Sequence, residues 1–370
     1  MGREMTLFLC GDVMTGRGID QILPHPSSPE LFEPYMRSAL GYVELAETAS
    51  GRIQRPVDFA YVWGDALVEL ERVRPDVRIV NLETSITASN EAWPRKGIHY
   101  RMHPANVPCL TAARLDCCAL ANNHVLDWGR PGLAETLETL RRAGLRTAGA
   151  GRDETEAAAP AIIELTGERR VLVFALCTES SGVPQAWAAT RNQSGVNLLG
   201  DLSLRSVDAI GHQVQAHKRA GDVAVLSIHW GGNWGYEISP RERAFARQLL
   251  DAAAIDLVHG HSSHHAKGIE VYRDKLILYG CGDFLTDYEG ISGYEAYRGD
   301  LGLMYFPTLD AESGRLRRLE MTATRMRRLQ VNRASADEAR WLLETLNREG
   351  RKLGTQVERR ADGAMLLRWS

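Results

Sequence analysis

The segments VAVLSIHWGG at residues 223–232 and DLVHGHSSHH at residues 256–265 decide how this chain folds. Each starts as a short apolar run with the length of a buried β-strand, and each run ends in histidine. A rigid apolar strand that ends in a polar side chain holds that side chain at the edge of a sheet. The two segments therefore predict neighbouring strands that bring several imidazoles to one place.

Outside these segments, short apolar runs alternate with amphipathic helical patterns along most of the chain. Strands are predicted at residues 6–10, 77–81, 117–121, 171–177, 223–229, 257–259, 275–279 and 301–306. Helices are predicted at residues 131–143, 203–220 and 240–254. This alternation indicates an α/β fold whose sheets are covered by helices.

One early segment departs from the alternation. Residues 20–58 are rich in Pro, Ser and Glu, and they directly follow the first polar motif, GDVM. A long irregular stretch in such a place is typical of a functional loop. We expect it to form an insertion or a lid beside the site.

The end of the chain departs from it as well. A basic strand is predicted at residues 319–329 and a helix at residues 335–354, where Ser335 and Glu338 have the spacing of a capping box. We therefore expect a catalytic domain at residues 1–312 and a C-terminal strand–helix extension, residues 313–370, packed on it.

Composition excludes several classes of partner. The chain has 370 residues and a net charge of -3, so it lacks the basic surface of a nucleic-acid-binding protein or a polybasic membrane patch. It contains no apolar run long enough for a membrane span or a signal peptide, and a cytoplasmic location is expected. The six cysteines form no CxxC pair and are expected to be buried free thiols.

Polar side chains that can bind metals or transfer protons follow nearly every predicted strand. The segments are GDVM at 11–14, NLE at 81–83, NNHVLD at 122–127, HWG at 229–231, HGHSSHH at 259–265 and GCGDF at 280–284. In an open α/β sheet, ligands bind beyond the carboxyl ends of the strands, so these segments should meet in space. Imidazole, carboxylate and amide groups together suit a divalent ion such as Ca, Mn, Zn or Fe.

These motifs, in this order, resemble those of the CapA-like (poly-gamma-glutamate capsule protein) family, a branch of the calcineurin-like metallophosphoesterase superfamily. The matching segments are GDVMTGR at 11–17, NLETSIT at 81–87, ANNHVLDWG at 121–129, SIHWGGNWGYE at 227–237, DLVHGHSSHH at 256–265 and LILYGCGDF at 276–284. The resemblance implies a calcineurin-like, four-layered αββα sandwich with two facing mixed sheets.

The resemblance also implies roles for individual residues. The implied metal ligands are Asp12, Glu83, Asn123, His229, His261 and His264. The implied acid–base pair is His124 and His264, with Asp12, Asp127 and Asp283 as the carboxylates that orient the imidazoles. Met14 stands where the superfamily has a further histidine, which favours one bound ion over two.

A site with one ion and spare histidines suits proton transfer. Some cytoplasmic CapA-like proteins are peptide epimerases of lasso-peptide pathways, and this chain is similar to them. The resemblance implies a metal-dependent peptide epimerase that inverts an α-carbon of a ribosomal peptide precursor. The alternatives are a metallophosphoesterase or other metallohydrolase, and an accessory protein of poly-gamma-glutamate synthesis.

Tryptophans in or near the motif loops hint at the shape of the substrate. They are Trp93, Trp128, Trp187, Trp230 and Trp234. A pocket walled by indoles would suit a peptide substrate with an apolar or aromatic end. The opposing interpretation is that these side chains only pack the loops together. The sequence leaves the oligomeric state open.

Overall fold

The computed structural model describes residues 4–167 and 169–369. The α-helices are α1 Arg17–Ile22, α2 Leu40–Ser50, α3 Asp65–Val73, α4 Pro108–Ala112, α5 Gly129–Arg142, α6 Glu154–Ala158, α7 Leu204–His217, α8 Pro240–Ala252 and α9 Ala336–Gly350. The strands are β1 Glu4–Cys10, β2 Asp12–Val13, β3 Val77–Leu82, β4 Ser85–Ile86, β5 Arg101–Met102, β6 Cys117–Ala119, β7 Arg146–Ala148, β8 Ala150–Gly151, β9 Ala161–Glu164, β10 Arg170–Thr178, β11 Gly195–Val196, β12 Leu198–Leu199, β13 Val223–His229, β14 Leu257–His261, β15 Ile269–Tyr272, β16 Lys275–Leu278, β17 Asp283–Leu285, β18 Leu301–Asp310, β19 Leu316–Arg327, β20 Gln330–Arg333, β21 Thr355–Arg359 and β22 Met365–Trp369. The first predicted domain starts at residue 1 and the second ends at residue 370, so residues 1–3 and 370 of these predictions lie outside the described residues.

The first sheet is centred on β3. Strands β1 and β2 pair with β3 in parallel on one side, and β6 pairs with it in parallel on the other. Beyond β1 the sheet becomes antiparallel through β18, β19, β22 and β21. The parallel part carries the carboxyl ends that the polar motifs follow.

The second sheet has the strand order β12–β10–β13–β14–β16–β15, with β9 added beside β10. Strands β10, β13, β14 and β16 are parallel, whereas β9 and β15 are antiparallel to their neighbours. The sheet is therefore mixed, and its parallel centre holds β13 and β14.

The layers follow from the alternation of side chains along the strands. In β10, Val171 and Val173 belong to the core between the sheets, whereas Leu172 and Phe174 belong to the core under α7 and α8. Period-two alternation buries both faces of this strand. On the far side of the first sheet, α3 and the preceding turn pack through apolar side chains such as Trp63. The order is helices, sheet, sheet, helices, and the predicted α/β sandwich is confirmed.

Helix ends agree with the capping residues in the sequence. Ser335 and Glu338 form the expected capping box at the start of α9, and Ser239 and Glu242 form another at α8. Gly144 follows α5 with φ +77°, where a side chain would be strained. The predicted helices at 203–220 and 335–354 extend too far, because the helices end at His217 and Gly350.

Residues 313–370 are continuous with the first sheet. Strand β19 forms a hairpin with β18, in register from Leu301 opposite Arg325 to Thr308 opposite Arg318, with an irregularity before Leu309 opposite Leu316. The expected boundary between residues 312 and 313 falls in the turn of this hairpin. The tail therefore adds β19 to β22 to the sheet itself, and α9 packs against β19 and β21.

Residues 20–58 wrap one side of the molecule. They contain α2, whose Tyr42 packs with Leu31 and Ala39 in a small separate core. Glu33 of this segment is fully buried and forms an ion pair with Arg17. The segment is thus fastened to the chain that leads out of β2.

Two further expectations concern burial. The six cysteines are free thiols with buried side chains, as predicted. Among the described residues, none of the helices combines the length and the apolarity needed to cross a bilayer.

Candidate functional site

The carboxyl ends of the parallel strands of both sheets meet between the two sheets. In the second sheet, Ser227 and His229 of β13 lie opposite His259 and His261 of β14. They continue the alternation of Val225, which faces the other sheet. The imidazoles therefore point towards the first sheet, where Asp12 of β2 lies.

Three of the predicted ligands form the centre of the site. One side-chain donor atom each of Asp12, His229 and His261 lies within 4.8 Å of the others, and all three residues are buried. The Nδ1 atoms of His229 and His261 are 2.8 Å apart. The predicted convergence is present for these three residues.

Asparagine side chains hold the carboxylate in place. Asn81, opposite Asp12 in the sheet, donates from Nδ2 to Asp12 Oδ1 at 2.7 Å, and Ser262 N donates to Asp12 Oδ2 at 3.3 Å. Asn122 Nδ2 in turn donates to Asn81 Oδ1 at 3.1 Å. The sequence placed Asn81 at a strand end without giving it a role. Its position in the NLE segment, two residues before Glu83, is the sequence feature that could have indicated a role in the site.

The remaining predicted ligands surround His229. Glu83 Oε1 lies 3.7 Å from His229 Nε2, and Asn123 Oδ1 lies 2.9 Å from the same nitrogen. Ser227 Oγ lies 2.7 Å from His261 Nε2. Because the outer nitrogens of both rings have oxygen partners, their Nδ1 atoms are directed at each other and at Asp12. We call Asp12, Glu83, Asn123, His229 and His261 the cavity floor.

Burial opposes charge throughout the floor. Burial, and then the charge of Asp283, raises the pKa of Asp12 to about 7, and burial likewise raises the pKa of Glu83. Burial also lowers the pKa values of His229 and His261. The protein thus gathers neutral imidazoles beside carboxyls whose ionisation is costly without a cation.

The donor set fits a divalent metal ion. Two imidazole nitrogens face each other at hydrogen-bond distance beside a carboxylate, and Oδ2 of the nearby Asp283 is buried without a hydrogen-bond partner. A cation would stabilise the deprotonated forms that burial disfavours. Asp12, His229 and His261 would hold it, with Glu83 within reach; the identity of the ion is left open.

A first His–Asp pair borders the floor. His124 Nδ1 donates to Asp127 Oδ2 at 2.6 Å, and Lys96 Nζ forms an ion pair with Asp127 Oδ1 at 2.6 Å. The ring of Tyr100 stacks on His124 with 3.8 Å between centroids. Burial, and then the charge of Lys96, lowers the pKa of His124. His124 is therefore held neutral, with Nε2 free and 3.9 Å from Glu83.

A second His–Asp pair lies in the same cavity. His264 Nδ1 donates to Asp283 Oδ1 at 3.0 Å. Trp234 and Tyr288 contact the His264 ring, with centroids 5.2 and 5.5 Å away. Burial lowers the pKa of His264, but the charge and hydrogen bond of Asp283 outweigh it and raise the pKa overall. His264 was assigned as both ligand and acid–base group, and the structure pairs it with Asp283 outside the central trio.

The other two histidines of residues 259–265 have structural surroundings. His259 Nε2 donates to the carbonyl of Cys10 at 2.7 Å and thereby joins the two sheets. His265 Nε2 accepts from Gly235 N, and its ring packs against Tyr236 and Tyr297. Only part of the histidine-rich segment therefore faces the cavity.

The cavity above the floor has a volume of 780 Å³. It is lined by the histidines of both His–Asp pairs, by Asp283, by three floor residues and by residues from α2 and the loop after β17. Its aromatic lining residues are Tyr35, Tyr42, Tyr100, Trp234, Tyr288 and Tyr294. We call Tyr35, Ile291, Tyr294 and Glu295, which are exposed, the cavity mouth.

The walls are therefore mainly tyrosine, and the expectation of an indole-walled pocket was wrong for four of the five tryptophans. Trp187 is fully buried against Trp93 at 5.5 Å. Trp128 and Trp230 are buried and donate to the carbonyls of Tyr100 and Tyr279. These indoles pack the loops, as the opposing interpretation held, and Trp234 alone among the tryptophans lines the cavity in the described part of the chain.

Arg17 of α1 connects residues 20–58 to the loop after β17. Its guanidinium forms two hydrogen bonds with Asp287 and an ion pair of 2.8 Å with Glu33. It also lies over the rings of Tyr42 and Tyr100, at 3.8 and 4.7 Å from their centroids. Asp287, expected beside a histidine, binds this arginine. Glu33 and Tyr100 were not predicted, because both come from irregular segments.

The chain is similar to known proteins along most of its length. The family model of the bacterial capsule synthesis protein PGA_cap matches residues 6–288. A probable polyglutamine synthesis accessory protein of Mycobacterium tuberculosis is 51% identical over 362 residues, covering 98% of this chain and 95% of the relative. Capsule biosynthesis protein CapA of Bacillus anthracis is 25% identical over 284 residues, covering 77% and 60%. PGA biosynthesis protein CapA of Bacillus subtilis is 26% identical over 278 residues, covering 75% and 62%.

Proposed function

This chain belongs to the PGA_cap family of bacterial capsule synthesis proteins, and on that premise we propose that it is an accessory protein in the synthesis of a polymer of glutamine or glutamate. The match confirms the family that the motifs resemble. In the interpretation of the sequence, the accessory role is an alternative to a peptide epimerase that acts on a ribosomal precursor. The names of the relatives support a poly(amino acid) chain as the substrate.

The proposed chemistry is metal-assisted proton transfer on the backbone of that chain. One observation carries it: His124 and His264, each hydrogen-bonded to a buried aspartate, line the cavity that ends at the floor. A divalent ion on the floor would polarise a carbonyl oxygen and so acidify the neighbouring α-carbon.

The two pairs have different proton-transfer properties. His124 is held neutral beside Lys96, so its Nε2 suits accepting a proton. Asp283 favours the charged form of His264, so its Nε2–H suits donating one. Groups whose surroundings separate their pKa values in this way are typical of acid–base pairs. One proton leaves the α-carbon for His124 and a proton from His264 replaces it. The configuration of the α-carbon is inverted, and the carbon still carries one hydrogen.

Hydrogen exchange tests this proposal. The protein, loaded in turn with Mn²⁺, Zn²⁺ or Ca²⁺, is incubated in heavy water with end-capped pentaglutamine or pentaglutamate. Mass spectrometry then detects deuterium at the α-carbons, and chiral amino-acid analysis detects inverted residues. We expect both signals, and shorter peptides would instead indicate amide hydrolysis.

Matched variants locate the reaction in the cavity. His124→Gln and His264→Gln should each slow exchange by about 10²- to 10⁴-fold, the usual contribution of a general acid or base. His212→Gln changes an exposed histidine on α7 and should have no effect. Absence of exchange with every metal, with or without cleavage, or an unchanged rate in both cavity variants, would contradict the proposal.

A further inference from the structure

The inner cations of the cavity are already neutralised. Arg17 binds Asp287 and Glu33, and all three side chains are almost fully buried. Lys96 forms its ion pair with Asp127. Neither cation is free to bind an incoming carboxylate without giving up a buried partner, which is costly.

The outer cations are paired in the same way. Arg298 donates to both carboxylate oxygens of Asp300, at 2.7 and 2.8 Å. Arg325 forms an ion pair with Glu338 and lies 3.7 Å from Asp300. The arginine and lysine side chains that line the cavity are Arg17, Lys96, Arg298 and Arg325, and each has at least one carboxylate partner.

Two lining carboxylates near the opening have no cation. Glu289 accepts from Leu329 N at 3.2 Å, and Glu295 accepts from Gly293 N at 2.9 Å. Neither forms a salt bridge with any described residue. The approach to the floor is therefore lined by excess negative charge.

The remaining wall near the opening is aromatic and apolar. Trp234 and Tyr294 stack with centroids 4.1 Å apart and an angle of 3° between the rings. Tyr35 is 68% exposed, Tyr294 51% and Ile291 47%. Such exposed apolar side chains around a cavity are typical of a ligand-binding surface.

We propose that the cavity takes an uncharged, amide-bearing peptide segment and rejects the corresponding polycarboxylate. This rests on the proposed function in so far as the segment belongs to the chain acted on at the floor. Primary amides donate hydrogen bonds, which Glu289 and Glu295 can accept, and their methylene stems pack on the aromatic wall. A carboxylate at the same position is repelled by these two groups, and the arginine and lysine side chains that line the cavity are already paired.

Two matched peptides test the selectivity without any turnover. Capped pentaglutamine and capped pentaglutamate are nearly isosteric, and they differ by five charges at neutral pH. Isothermal titration calorimetry with the full chain should give at least about tenfold tighter binding of pentaglutamine at low salt. Equal affinity, preference for pentaglutamate, or binding of neither peptide at millimolar concentration would overturn the inference.

Charge variants locate the selectivity at the opening. Glu289→Gln/Glu295→Gln should bind pentaglutamine within about twofold of the unchanged protein and pentaglutamate several-fold more tightly, because the repulsion is removed. Glu344→Gln removes an exposed carboxylate of α9, away from the cavity, and should leave both affinities unchanged. If both replacements shift the affinities equally, net charge rather than the cavity is responsible.

The two proposals fail separately. Selective binding without isotope exchange would leave the cavity assignment standing and refute the chemistry. Exchange in pentaglutamate at least as fast as in pentaglutamine would support the chemistry and refute the selectivity.

Discussion

The floor and the mouth of the cavity are built in opposite ways. Floor residues such as Asp12 and His229 lie on or directly after parallel strands of two sheets, are buried, and have polar partners on most atoms. Mouth residues such as Tyr35 and Tyr294 come from irregular segments and are exposed. Strands place atoms precisely enough for metal binding and proton transfer, whereas loops supply an adjustable surface for recognition. Changes in the two regions should therefore have different consequences.

The largest effect on the free energy of unfolding is expected at the buried ion pairs of Arg17. Arg17→Met leaves Asp287 and Glu33 buried without their cation, and it should lower the free energy of unfolding by about 3–5 kcal/mol. Urea unfolding followed by fluorescence measures the change. Arg141→Met, which breaks an exposed ion pair with Glu138, should leave the free energy of unfolding almost unchanged. Similar losses of stability in both variants would show that Asp287 and Glu33 do not depend on Arg17 as their buried cation.

A second effect concerns acid. Burial lowers the pKa of His259 to about 4, from 6.5 in an exposed histidine. Between these values the unfolded chain binds a proton that the folded chain does not, so stability falls as the pH drops from 6.5 to 4. The lowered pKa of His259 corresponds to a loss of about 3 kcal/mol in the free energy of unfolding.

His259→Gln should reduce this acid sensitivity. The drop in unfolding free energy between pH 7 and pH 4.5, measured with urea, should be about 2–3 kcal/mol smaller than in the unchanged protein. His212→Gln, on the surface of α7, serves as the matched control. An identical pH dependence in the His259 variant would mean that burial of this histidine does not cause the acid sensitivity.

The third prediction concerns metal content. His229→Ala removes a donor from the central trio and should weaken metal affinity by at least about 100-fold, since even outer partners of ligands contribute 10- to 100-fold. Elemental analysis after equilibrium dialysis against Mn²⁺, Zn²⁺ or Ca²⁺ measures it. Tyr294→Ala at the mouth should retain the ion. Retention of a stoichiometric ion in the His229 variant would place the metal elsewhere.

The smallest effect is expected at the mouth itself. Tyr294→Ala removes the ring that stacks on Trp234, and it should weaken binding of capped pentaglutamine by about two- to tenfold, as for the loss of one aromatic contact. Unfolding free energy should change by less than about 1 kcal/mol, because Tyr294 is half exposed. A large loss of stability would make Tyr294 part of the scaffold.

The same contrast explains what the sequence reveals. Short apolar runs predict β10, β13 and β14. The sheet then determines the position of a residue at the end of such a strand. The strand ends indicate where polar side chains meet, and the resemblance to the CapA-like family implies Asp12, His229 and His261 as ligands, which lie together. The side chains around them could not be assigned, because Tyr100, which lines the cavity, and Glu33, which binds Arg17, lie on segments without periodicity.

Two expectations show where sequence patterns mislead. A tryptophan in a loop looks the same in the sequence whether it lines a cavity or packs beneath it. Trp187 and Trp230 are buried, and they pack the loops together. The polar turn between β18 and β19, around Gly314 with φ +68°, has the composition of a linker. The two consecutive strands that it joins pair with each other, which composition does not encode, so it is the turn of a hairpin inside one sheet.

That hairpin also determines how the protein can be shortened. The family match ends at residue 288, before β18 begins at Leu301. β18 covers the open side of β1, from Glu4 opposite Asp310 to Cys10 opposite Met304. A fragment cut after residue 288 would expose a row of unpaired backbone groups on an apolar strand, and such edges associate with those of other molecules. All six motifs lie within the family match, but the smallest piece of this protein that stays monodisperse must include the strands beyond them.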